Sequence, residues 1–214
     1  MTEDRKQKSS GAGNIRSPSS VVRRLTAADI LPPDEYERVR AEKRRTIVAG
    51  KSSRRLAVGP YATFYFENFD TMWLQVQEMV RIEKGGAAQI EDELRAYNPL
   101  IPKGQELVAT VMFEIEDPTR RAAILAQLGG VEKHIEMRVG FEVIKARAEQ
   151  DLDYTSAEGK ASSVQFVHFP FTQAQIEKFR APNTEVTLSV THPHYGHMAI
   201  MPQAVKQALG GDFN

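Results

Sequence analysis

No cysteine occurs among the 214 residues. Its absence excludes disulfides, thiolate nucleophiles, cysteine-ligated zinc and cysteine-bound iron–sulfur clusters within the chain, so any metal would be held through nitrogen and oxygen. Long apolar runs are missing too. None approaches the roughly 18 residues of a membrane span, and the N-terminus lacks the apolar segment of a signal peptide. The expected location is therefore the cytoplasm, with no membrane as partner. Aromatic residues are sparse at 8% and do not interleave with the basic residues of the N-terminal quarter. This removes stacking on bases and disfavours nucleic acid as a partner.

What is present is the composition of an ordinary globular protein, 41% hydrophobic and 26% charged, at a length suited to one domain with a real core. The formal net charge is zero, but its distribution is uneven. Residues 1–57 carry 14 Lys and Arg against 7 Asp and Glu, and residues 58–214 carry 14 against 21. A basic half of this kind reads as a solvated tail and helix face, or as a surface for an anionic partner.

Residues 1–22, rich in Ser and Gly, are too polar to bury anything and are expected to form a disordered basic arm, with a single domain over 23–214. Pro32-Pro33 should open a charged helix over 34–48. Strand material follows over 54–67, broken at Gly59-Pro60. Asp70 should cap a helix reaching Lys84, with Met72, Trp73, Val76, Met79, Val80 and Ile82 on one arc, Gln75 inside it and Glu78 at its border. After Gly85-Gly86, Ile90, Leu94 and Tyr97 repeat at helical spacing until Asn98-Pro99. A strand over 107–116 precedes a helix begun by Asp117-Pro118 and expected to run to Gly129-Gly130.

Residues 131–139 alternate like a half-buried strand, with His134 on its solvent side, and 142–148 return as a hairpin partner. Gly159-Lys160, in the polar connection 150–162, lacks the rest of a phosphate-binding loop. The last third then reads as strand 163–169, a helix capped by Thr172 and strand 185–191. Its 15-residue connection is long enough for a parallel crossover. The fold class expected is α+β, a mixed sheet packed with helices.

Three of the five histidines fall in His192-Pro193-His194-Tyr195-Gly196-His197. Imidazole suits both metal binding and proton transfer near neutral pH. If the last two strands were parallel neighbours, His168 and His192 would end apolar faces at one sheet edge, where ligands of open α/β sheets gather. His192, His197 and His168 with a carboxylate such as Glu78 or Glu67 would then form an N/O site for iron, manganese or zinc. Without a metal, His192 or His197 would act as general base with Glu78 orienting, while His168, Gln75 and Tyr195 would line a ligand pocket. The spacing matches no established metal motif, and both histidine faces also fit satisfied structural residues.

Leu25-Thr26-Ala27-Ala28-Asp29-Ile30, Phe66-Glu67-Asn68 leading into Thr71-Met72-Trp73, Ala96-Tyr97-Asn98-Pro99-Leu100-Ile101-Pro102, Ala157-Glu158-Gly159-Lys160 and His192-Pro193 with Tyr195 and His197 carry a resemblance. Together they resemble the bacterial family catalogued as domain of unknown function 3501, from about residue 24 to the end. The resemblance brings no catalytic roles. It implies a genetic neighbourhood of rubrerythrin-like proteins and iron–sulfur oxidoreductases, and hence an accessory or partner protein of an iron-dependent redox system. A small enzyme with a histidine base and a purely structural scaffold are the alternatives.

Overall fold

In the computed structural model, residues 23–150 and 152–214 are described. The arm expected over 1–22 lies outside them. Pro33 occupies the first turn of α1 (Pro33–Lys51), where its missing N–H costs nothing. A hairpin follows, β1 (Arg55–Val58) and β2 (Ala62–Phe66), turning at Gly59.

α2 (Phe69–Glu83) begins two residues earlier than Asp70 would set it. The Asn68 side chain accepts from Thr71 N at 3.0 Å, and Thr71 Oγ1 accepts from Asn68 N at 2.9 Å. This reciprocal capping box needs a hydrogen-bonding side chain three residues after the cap, and a cap at Asp70 would find Trp73 there. After α3 (Gly86–Tyr97) come β3 (Glu106–Phe113) and α4 (Pro118–Leu125), capped by Asp117. α4 ends before the expected Gly129-Gly130.

Residues 131–139 are only partly strand. Val131–His134 form a 3₁₀ turn after left-handed Gly130, and β4 (Ile135–Val139) starts behind it. Lys133, out of phase with the alternation, marks the change. The return also divides: β5 (Glu142–Lys145) pairs with β4, while β6 (Arg147–Ala148) crosses to another sheet. β7 (Val164–Pro170), α5 (Gln173–Arg180) and β8 (Val186–His192) match the expected strand, helix and strand. The sequence reading did not anticipate β9 (Tyr195–Ile200) or α6 (Gln203–Gly210).

The α+β domain stands, but its strands form two sheets, of order β1-β2-β3-β7-β6 and β5-β4-β8-β9. Every described pairing within them is antiparallel rather than mixed. β7 and β8 are not parallel neighbours. β3 and β6 occupy both edges of β7, so α5 carries the chain onward to the other sheet.

The main core lies between the sheets, where Phe64, Phe66, Val111, Met137, Phe169 and Leu188 meet, with Phe179 and Phe213 closing one end. Each such side chain contributes about 1.5–3 kcal/mol through removal from water. A smaller core on the other face of the five-stranded sheet joins Leu25, Ile30, Met72, Val76, Leu100 and Val108.

Candidate functional site

The two-residue turn Pro193-His194 joins β8 to β9 and sets His192 opposite Tyr195. His192 is buried. Its Nδ1 accepts from His194 N at 3.2 Å, its ring meets the His134 ring edge-on at 5.1 Å, and the Gly129 carbonyl is among its neighbours. Burial, assisted by the His134 and His194 charges, pushes its pKa below the usual value despite that carbonyl. The ring is thus biased towards its neutral form, with Nδ1 engaged by the backbone of His194. His134, expected on a solvent face, sits instead at the end of the 3₁₀ turn against His192, because the strand begins only after it.

Tyr195 is the structural centre of the cluster. Its hydroxyl accepts from Tyr61 N and Ala62 N, both at 2.9 Å, and donates to Val58 O at 2.7 Å. One phenol therefore ties the β8–β9 hairpin to the β1–β2 turn, and burial raises its pKa. The exposed His197 ring packs on Tyr195 at 4.5 Å. Gly59, with φ of +70°, lies so close that a Cβ there would stand 2.5 Å from the His197 ring.

His168 belongs elsewhere. On β7, its Nδ1 lies 3.1 Å from Glu106 Oε2 and its Nε2 2.7 Å from Glu149 Oε2. Burial alone would lower its pKa, but the two carboxylates outweigh that and raise it. The result is an imidazolium bridging β3 and the segment after β6.

Glu78 sits in a third place. Its carboxylate accepts from Tyr36 OH at 2.5 Å and from Arg40 Nε and Nη2 at 2.8 and 2.9 Å. Arg40 first, then Tyr36, hold its pKa down to about 2 against the effect of burial. Gln75 donates to Tyr97 OH at 3.4 Å, and Glu67 accepts from Thr110 Oγ1 at 2.7 Å.

The single pocket expected for His168, His192, Glu78 and Gln75 is therefore not assembled, since it required β7 and β8 to share an edge. Among the described residues no group of three or more His, Asp or Glu is placed to hold a metal ion. Two further buried charges also serve the fold. Arg54 donates to the Phe66 and Glu67 carbonyls, each at 3.1 Å, and pairs with Asp212. Lys206 Nζ donates to Ala181 O and Thr184 O, both at 2.6 Å, beyond the end of α5.

Several residues that carry the family resemblance likewise hold elements together. The Asn98 side chain accepts from Leu25 N at 2.7 Å and donates to Leu25 O at 3.0 Å, while Trp73 Nε1 donates to Asp29 O at 2.8 Å.

α1 belongs to the basic N-terminal quarter, expected as a solvated helix face or a surface for an anionic partner. Tyr36 is its only buried residue, yet the helix continues for four more turns. Among the described residues, the ion pairs of α1 are Arg40–Glu78 and Glu37–Arg81. Exposed Arg38, Arg44 and Arg45 form no ion pair among the described residues, and Lys43 lies over the Trp73 ring at 5.9 Å. A separate open groove of about 480 Å³ is lined by Arg24, Leu25, Glu91, Leu94, Arg95 and Lys103. The signal was the basic excess of the N-terminal quarter.

A model of the family described as "Protein of unknown function (DUF3501)" matches residues 24–213. Among solved structures, a protein of unknown function from Burkholderia pseudomallei is similar, with 34% identity and a TM-score of 0.82 over 89% of this chain and 99% of that one. The search of curated proteins returned no match.

Proposed function

We propose that this chain, which belongs to the DUF3501 family, is an accessory protein that docks through α1 onto an acidic surface of an iron-dependent redox protein, either a rubrerythrin-like protein or an iron–sulfur oxidoreductase. One observation carries this reading. A helix that buries only Tyr36 nonetheless extends to Lys51, exposing Arg38, Lys43, Arg44 and Arg45. So little burial does not account for a helix of this length, and exposed cations favour encounter with an anionic surface. The redox class comes from the neighbourhood that the family resemblance implies. The general-base reading draws less support, because His192 is buried and its Nδ1 already accepts from the His194 backbone.

The test titrates the full-length chain with each candidate partner from the same organism. Binding should weaken as salt rises, and K43E/R44E/R45E should lose more than about tenfold in affinity while keeping its circular dichroism. Binding to neither partner, or binding indifferent to salt and to charge reversal, would overturn the reading. Preferential salt-sensitive binding to duplex DNA would replace it with a nucleic-acid role.

A further inference from the structure

The outer face of the four-stranded sheet carries two rows of side chains fixed by strand register. One row is Val143, Arg138, Thr187 and Ile200, and the next is Lys145, Glu136, Ser189 and Met198, in the strand order β5, β4, β8, β9. Residues opposite one another across antiparallel strands share a face, so both rows lie on the side away from the core, although Thr187 in the first row is only 6% exposed. Of the seven large apolar side chains exposed among the described residues, four belong here: Val143 at 41%, Met198 at 66%, Ile200 at 63%, and Phe141, fully exposed on the β4–β5 turn. Apolar side chains concentrated on one sheet face mark an interaction surface.

The order of residues in the two rows says what fits there. A half-turn about an axis lying in the face and running across the strands exchanges the rows and keeps each strand over its own copy. On β4, Arg138 then faces Glu136 of the second molecule, and Glu136 faces its Arg138. On β8, Thr187 faces Ser189, and on β9 Ile200 faces Met198. Only β5 mixes types, setting Val143 against Lys145, whose aliphatic stem tolerates the contact. We infer that this face packs against the same face of a second copy, forming an isologous dimer with antiparallel strands.

Charge complementarity selects the second copy over an unrelated partner. Opposite charges two residues apart on a central strand satisfy each other under this one symmetry, and apolar meets apolar in the β9 column. The face is small, four strands about 4.8 Å apart and about five residues long, which makes the interface smaller than a standard specific contact and the association weak. Association should therefore be concentration-dependent. It involves none of the α1 cations, so its outcome is separable from that of the redox docking.

Sedimentation equilibrium of the full-length chain, from micromolar to sub-millimolar concentration, should show reversible dimerisation. Glu136→Arg alone and Arg138→Glu alone each place like charges together twice, and each should weaken the dimer by more than about tenfold. Mixing the two variants restores both pairs, so the mixture should form a heterodimer, and E136R/R138E should dimerise like the wild type. Met198→Asp, at an exposed site, should also weaken association and provides a second probe if a charge variant fails to fold. A wild type that stays monomeric throughout, a dimer untouched by these substitutions, or a mixture of folded variants that does not associate would overturn the inference.

Discussion

On one side of the molecule, α2 and α3 cover the five-stranded sheet and bury Met72, Val76, Val80 and Val108. On the other, the four-stranded sheet turns Val143, Met198 and Ile200 to solvent. The polar side chains of the two regions differ accordingly. Beside the covered sheet, Asn98, Trp73, Glu67 and His168 each hold a defined hydrogen bond. On the open face, hydroxyl and charged side chains stand beside exposed apolar ones. The comparison teaches that chemical side chains near a core here work as fasteners, whereas surfaces free to act are simple in composition. Substitutions in the first region should act on stability, and those in the second on association.

The sharpest break of that contrast is Tyr195→Phe. Removing the hydroxyl leaves Val58 O, Tyr61 N and Ala62 N without a shared partner, so we expect a loss of about 2–4 kcal/mol, read by urea denaturation. Gly59→Ala in the same contact should cost about 1–3 kcal/mol, because the added Cβ meets the His197 ring and φ is positive. Asn98→Ala, which unfastens Leu25 from the end of α3, comes next at about 1–2 kcal/mol.

Smaller effects, of opposite sign, follow from half-buried His168 and buried His192. The folded pKa of His168 is raised, so its contribution is complete below the unfolded value near 6.5 and is lost as pH rises through the folded value. The folded pKa of His192 is lowered, so its contribution is complete above the unfolded value and is lost as pH falls through the folded one. His168→Gln should therefore remove a decline of stability on the alkaline side of pH 6.5, and His192→Asn a decline on the acid side. Equilibrium unfolding across pH 5–8 checks both. Smallest of all, Phe141→Ser on the exposed turn should change folding stability by no more than about 0.5 kcal/mol.

Local signals made much of this legible. Pro33, Asp117 and Thr172 mark three helix starts, and Gly59-Pro60 marks the β1–β2 turn. β9 was hidden because its pattern is inverted: exposed His197 and half-buried Ala199 share the face of Tyr195, while apolar Met198 and Ile200 face outward. As an edge strand with an uncovered outer face, it looks like a polar histidine loop. The partners of His168 lie 62 and 19 residues away, and sheet membership of β7 and β8 depends on equally distant pairings, so no local periodicity encodes them. The histidine cluster itself was visible; its role depended on which backbone groups surrounded it.

The central claim is that the histidine cluster fastens the fold while α1 makes the contact with a partner. Affinity for the redox partner, measured for His192→Asn beside K43E/R44E/R45E at a temperature where both are folded, tests it most directly. Wild-type affinity in His192→Asn with a loss of more than about tenfold in the α1 variant is the expected result. The reverse order, with binding lost in His192→Asn and retained in the α1 variant, would contradict it.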